Sequence, residues 1–118
     1  MISDWPQATK DLSAMLRELR NGEGSGEVMK TFSAMAQTAT KAGVLDPKTK
    51  ELIAIAIGVA IRCDDCIAFH TKAAAQLGAT RAEVQETLAM AIYMGAGPSV
   101  MYSSHAMQAF DQFAADKA

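Results

Sequence analysis

The residues with the most chemistry to offer stand together in RCDDCIAFHTK, residues 62–72. Cys63 and Cys66 are separated by two acids, Asp64 and Asp65, and His70 follows four positions after the second cysteine. Two thiols and an imidazole at this spacing suit either electron chemistry or a metal. On a helix, residues four apart share a face, so Cys66 and His70 can touch and His70 can take the thiol proton. Unpaired backbone N–H groups at the start of such a helix favour a thiolate. Cys63, at or just before the helix start, can close a disulfide with Cys66. Asp64 and Asp65 oppose this activation, because nearby carboxylates disfavour a second negative charge. The conflict is relieved if one of them caps the helix through backbone amides and Arg62 offsets the other. A zinc reading would use Cys63, Cys66 and His70 but needs a fourth ligand. Glu51 or His105 would have to supply it, and neither stands at a standard zinc spacing. Inert structural cysteines are the third reading.

Helices must position these groups. Ala, Leu and Met are abundant and strand signals are few, which predicts an all-α chain of six helices. Pro6 opens a first helix, with Leu12, Met15, Leu16 and Leu19 on one face, ending at Asn21-Gly22. GEGSG, residues 22–26, reads as a flexible joint. This divides a leading helix and joint, residues 1–25, from a helical core, residues 26–118, in one domain overall. The second helix carries Val28, Phe32, Met35, Ala36 and Ala39, with Gly43 as its left-handed end. Asp46-Pro47 caps and opens a third helix running to about Arg62. Gly58 inside it costs about 1 kcal/mol relative to Ala, which close packing of another helix would offset.

The fourth helix begins within CDDC and ends at Leu77-Gly78. Thr80 and Glu83 make a capping box for a fifth, ending at Gly95, and Pro98 opens a sixth. Short loops favour antiparallel neighbours. If the fourth helix folds back along the third, Glu51 approaches the face carrying His70, giving a Glu–His–Cys proton path. A solvated first-turn carboxylate is the plainer account of Glu51. His105 reads as a surface or interface histidine, and Tyr93 and Tyr102 as aromatic core packing sooner than pocket lining.

The chain has 118 residues, half of them apolar, and a net charge of −2. Lys and Arg are scattered, with no basic stripe, which argues against nucleic-acid binding. The start MISDWPQATKDL lacks a signal-peptide pattern, and the longest apolar run, residues 52–61, is about half of a bilayer span. The expectation is a soluble, cytoplasmic protein, and in a reducing compartment a close cysteine pair is catalytic or metal-binding more often than a staple. The eight methionines suit adaptable core or subunit-interface packing. The apolar third helix and the methionine-lined faces exceed what a small monomer needs to bury, which favours a homo-oligomer.

Glu51, eleven residues, Cys63, two residues, Cys66, three residues, His70: this pattern resembles the signature of the alkylhydroperoxidase D-like (carboxymuconolactone decarboxylase) family. The resemblance runs from about Glu27 to Ala109, and includes LGATRAEVQETLAMAIYMGAGPSVMY as the family's helix, glycine-proline turn and helix. It implies an all-helical fold assembling as a trimer or hexamer, with an antiparallel helix pair carrying the cysteines. It also implies a dithiol site that reduces peroxides or exchanges disulfides without cofactor or metal. Carried over, Cys66 would attack peroxide, Cys63 would be the resolving thiol that reductants reach, and His70 with Glu51 would form the proton relay. The implied partners are a small-molecule peroxide and an external dithiol, lipoyl or thioredoxin-like. Asp65 stands where alkylhydroperoxidase D carries histidine, which leaves general thiol oxidoreductase work open. The family's decarboxylases lack the cysteine pair, so Cys63 and Cys66 argue against that activity. A non-catalytic assembly module that senses redox state or binds zinc is the alternative in a different class.

Overall fold

A computed structural model describes residues 1–117 of the chain. It is all-α, with helices α1 (Trp5–Asn21), α2 (Gly26–Thr40), α3 (Pro47–Ala60), α4 (Asp64–Gln76) and α5 (Arg81–Lys117).

The helix starts follow local chemistry. Asp4 accepts the Gln7 backbone N–H at 3.0 Å, and Asp46 accepts that of Thr49 at 2.7 Å, each satisfying an amide that the helix leaves unpaired. Thr80 and Glu83 form the reciprocal capping box, with bonds of 2.8 and 3.1 Å. The ends are less predictable. Gly43 does not end α2 in a left-handed conformation; the helix stops at Thr40. The Lys50 ammonium donates to the carbonyls of Ala39 and Lys41 there, a cation serving the negative end of the helix dipole.

Separate fifth and sixth helices are not what forms. The two segments join in α5, which breaks at Ala96 (φ 55°, ψ −138°). Only this residue leaves helical geometry, so no loop intervenes, and Pro98 follows where its missing N–H is tolerated. Gly95 is needed at the bend, because a Cβ there would run into the Ser99 side chain.

The core lies where α3, α4 and α5 pack on one another. Ile55, Val59, Ile67 and Val84 are fully buried there, each worth about 2 kcal/mol in apolar transfer, with Leu88, Phe110 and Phe113 around them. The start of α1 is tied in by Trp5, 1% exposed, whose indole N–H donates to Gln108 at 2.9 Å. Its backbone N–H donates to Gln112 at 2.8 Å. In contrast, α2 contributes no buried residue, and Val28, Phe32 and Met35 stand open along one of its faces. On α3 and its C-cap, Ile53, Ile57 and Ile61 make a second uncovered stripe at four-residue spacing. Tyr93 does not join the core: it is 78% exposed beside the bend of α5, whereas Tyr102 packs against the core.

Candidate functional site

The site is built by the hairpin of α3 and α4. Gly58 of α3 faces Cys66 of α4, and Glu51 of α3 faces His70 of α4, so the two helices run antiparallel. Gly58 allows the approach, since an added Cβ would lie 3.3 Å from the Cys66 Cβ and 3.7 Å from the Ile67 nitrogen. The connection is tight. α3 ends in a Schellman pattern, in which Arg62 N–H donates to Val59 O at 3.2 Å and Cys63 N–H to Gly58 O at 2.9 Å. Arg62 takes the left-handed position, φ 60°, that glycine usually fills.

That turn delivers Cys63 to the N-cap of α4. Its Sγ accepts the Cys66 backbone N–H at 3.2 Å. The capping atom is therefore sulfur, and neither aspartate takes that place: Asp64 and Asp65 lie in the first turn. Asp65 is exposed, while Asp64 Oδ1 is buried without a hydrogen-bond partner among the described residues. Cys63 and Cys66 are joined as a disulfide, with Cα atoms 5.2 Å apart.

One turn beyond Cys66, His70 Nδ1 lies 2.6 Å from Glu51 Oε2. The Glu51 side chain is 9% exposed and the His70 ring 33%, so the carboxylate is enclosed and the imidazole reaches solvent. An ionised carboxylate is an acceptor only, so in this contact Nδ1 is the donor, and in the neutral ring that tautomer carries its lone pair on Nε2. This is the arrangement of a base held in one tautomer by an orienting acid.

The structure brings the four residues singled out by spacing together as two pairs on the α3–α4 hairpin, Cys63 with Cys66 and Glu51 with His70. Glu51 is the one whose approach depended on the hairpin. The sulfur cap is what sequence reasoning missed, since aspartate is the commoner capping residue and two were on offer. His105 stands apart from this group, its ring 5.2 Å from that of Tyr102. Among the described residues, no three His, Cys, Asp or Glu side chains are grouped to hold a metal ion.

The fold and site define an all-α protein with a Cys-x-x-Cys pair beside a buried Glu–His contact. The model of the carboxymuconolactone decarboxylase family matches residues 26–109, and the chain belongs to that family. A carboxymuconolactone decarboxylase family protein of Legionella pneumophila is similar in structure, with a TM-score of 0.89 and 50% identity over 95% of this chain and 99% of that one. A family member from Thermotoga maritima, for which a part in an antioxidative response has been suggested, has a TM-score of 0.74 and 25% identity over 98% of this chain and 93% of its own. An uncharacterized protein of Cupriavidus necator is 41% identical over 108 residues, covering 87% of this chain and 96% of that protein.

Proposed function

We propose that the protein is a thiol-dependent peroxidase or disulfide oxidoreductase working through Cys63 and Cys66, with His70 and Glu51 as the proton relay. The observation that carries this reading is the 2.6 Å contact between Glu51 and His70, residues 19 apart in sequence, one helical turn from a closed disulfide. Enclosing a carboxylate costs free energy unless it is paired, and here its partner is an imidazole that reaches solvent. That pairing serves proton transfer better than it serves packing.

In the cycle, His70 takes the Cys66 proton, and the thiolate attacks one oxygen of a hydroperoxide. The O–O bond breaks, Cys66 becomes a sulfenic acid, and the alcohol departs with the proton from His70. Cys63 then attacks the Cys66 sulfur and displaces hydroxide, which leaves as water, closing the disulfide. An external dithiol, lipoyl or thioredoxin-like, restores both thiols and is itself oxidised to a disulfide. The suggested antioxidative part of the Thermotoga relative agrees with this reading. The site offers a dithiol where a decarboxylase needs none.

The uncovered faces of α2 and α3 support a homo-oligomer, a trimer or hexamer, in which those apolar residues are buried. No helix among the described residues is long and apolar enough to cross a membrane. With a dithiol that a reducing compartment would keep ready, cytoplasmic residence is part of the proposal.

The test is to treat reduced protein with one equivalent of peroxide, quench within seconds by alkylation, and read Cys63 and Cys66 by mass spectrometry. A rapid intramolecular disulfide, lost in Cys66→Ser together with turnover, is expected. Full activity in that variant would sink the assignment of the attacking thiol. A single slow oxidation without turnover would make the protein a redox-sensing module instead.

A further inference from the structure

On the side of α4 away from the cysteines, α1, α4 and α5 frame a half-enclosed cleft of about 260 Å³. Each helix lines it with side chains three or four positions apart, which share a face: Pro6 and Lys10 from α1, Lys72 and Gln76 from α4, Phe113 and Asp116 from α5. Lys72 follows His70 by two residues, about 200° round the helix, so the cleft and the Glu51–His70 contact lie on different sides of α4. None of its residues belongs to the open stripes on α2 and α3. The cleft is held in shape from behind. Trp5 is buried and bonded to Gln108 and Gln112, which fixes the start of α1 against α5. Thr9 is buried too, its hydroxyl donating to Pro6 O at 2.8 Å. The volume is close to the lower end, about 300 Å³, of clefts that hold small organic ligands.

The floor is apolar and the rim is charged. Phe113 is 5% exposed and Pro6 half-buried, whereas Lys10, Lys72, Gln76 and Asp116 reach solvent. Among the described residues, no ion pair or side-chain hydrogen bond engages Lys10, Lys72 or Asp116. Lys48 and Arg81, by contrast, are taken up by carboxylates, and Lys50 by the carbonyls that end α2. Two ammoniums and one carboxylate therefore surround an apolar floor without closing on one another. We propose that this cleft binds a small carboxylic acid that carries a hydrogen-bond donor beside an apolar body. The ligand carboxylate meets Lys10 and Lys72, its donor meets Asp116, and its body covers Phe113 and Pro6. The Gln76 amide, both donor and acceptor, serves either polar end.

The charges choose among ligands. Two lysines against one aspartate leave the rim one net positive charge, which suits a monoanion. Inorganic phosphate brings no apolar surface for Phe113, and its second negative charge faces Asp116. An amine without a carboxylate is repelled by both lysines. A neutral apolar molecule covers the floor and leaves all three charges unanswered. Either polar end by itself is weak at an exposed rim, where water and salt screen it, so selectivity rests on both ends acting across one floor. Binding draws on neither thiol, so the site is open in the oxidised and the reduced protein alike.

Amide NMR titration of the full-length, isotope-labelled protein tests this, with phenylalanine and phenyllactate as probes that have all three parts. Both should give saturable shifts at the cleft amides of α1, α4 and α5, with dissociation constants on the order of 1 mM, as suits ligands of about twelve non-hydrogen atoms. Phenylpropionate, which lacks the donor, should bind about three- to tenfold more weakly. Phenethylamine, which lacks the carboxylate, should give no saturable shift. Lys10→Met combined with Lys72→Met should abolish the phenylalanine shifts and leave the rest of the spectrum in place, since both lysines are exposed. Asp116→Asn should erase the advantage of phenylalanine over phenylpropionate. Shifts that do not saturate, that survive the double lysine substitution, or that phenethylamine produces equally would overturn the proposal.

Discussion

Replacing Gly58 with alanine sets two opposed effects against each other where the start of α4 presses on α3. Helix propensity alone predicts a gain of about 1 kcal/mol, because α3 is helical on both sides of the glycine and Ala loses less backbone entropy there. Packing predicts the reverse. The new methyl group would sit 3.3 Å from the Cys66 Cβ and 3.7 Å from the Ile67 nitrogen. Carbon atoms rest at about 3.5–4.0 Å, so a few tenths of an ångström must open between the helices. Little there can yield: the Cys66 side chain is tied by the disulfide to Cys63, and Cys63 is bonded back to the Gly58 carbonyl. Overpacking of this kind costs about 1–3 kcal/mol, so Gly58→Ala should destabilise the oxidised protein by about 0–2 kcal/mol net. In the reduced protein Cys66 is free to turn away, and the penalty should shrink toward zero or become a small gain. Urea unfolding of wild type and variant, with and without reductant, reads all four stabilities, and an unchanged m-value would show that the denatured state is not the cause. A variant that is about 1 kcal/mol more stable than wild type while oxidised would refute the close-approach argument, since helix propensity would then be acting unopposed.

Ala96 occupies a conformation, φ 55° and ψ −138°, that L residues adopt only under strain. Ala96→Gly should raise stability by on the order of 1 kcal/mol after allowing for the entropy glycine adds to the unfolded chain, and a lower thermal midpoint would contradict this. The Glu83 carboxyl is held below the usual carboxylate range, first by the Thr80 backbone N–H and then by Lys48, 2.9 Å away. A lowered folded value means that its stabilisation is present above the unfolded carboxylate pKa and is lost as the pH falls through the folded one. Glu83→Gln should therefore be less stable than wild type at neutral pH, and the two urea curves should converge in acid. A gap that persisted in strong acid would show that shape, and not charge, is what matters at that cap.

How much of this was legible beforehand depends on the distance over which each cause acts. Helix starts came through because a cap and its amides lie within three residues: Asp46 with Thr49, and Thr80 with Glu83, are sequence neighbours as well as bonded pairs. Cys66 and His70 share a helix, so their relation was written in the spacing. The expected approach of Glu51 to His70 followed from an assumed antiparallel hairpin, and the 2.6 Å contact realises it.

The sequence by itself determined the helical class, the capped helix starts and the Cys66–His70 spacing, because these rest on periodicity and on contacts within a turn. Tertiary structure alone decided which atom caps α4, that Arg62 takes a left-handed turn glycine usually fills, and that α5 bends at one residue without a loop. It also decided that Tyr93 faces solvent in the chain while Trp5 is clamped by two glutamines more than 100 positions away. Trp5 owes its place to what α5 presses against the start of α1, and Tyr93 its exposure to the absence of such cover in the chain. A pattern read along one helix holds no record of that pressure.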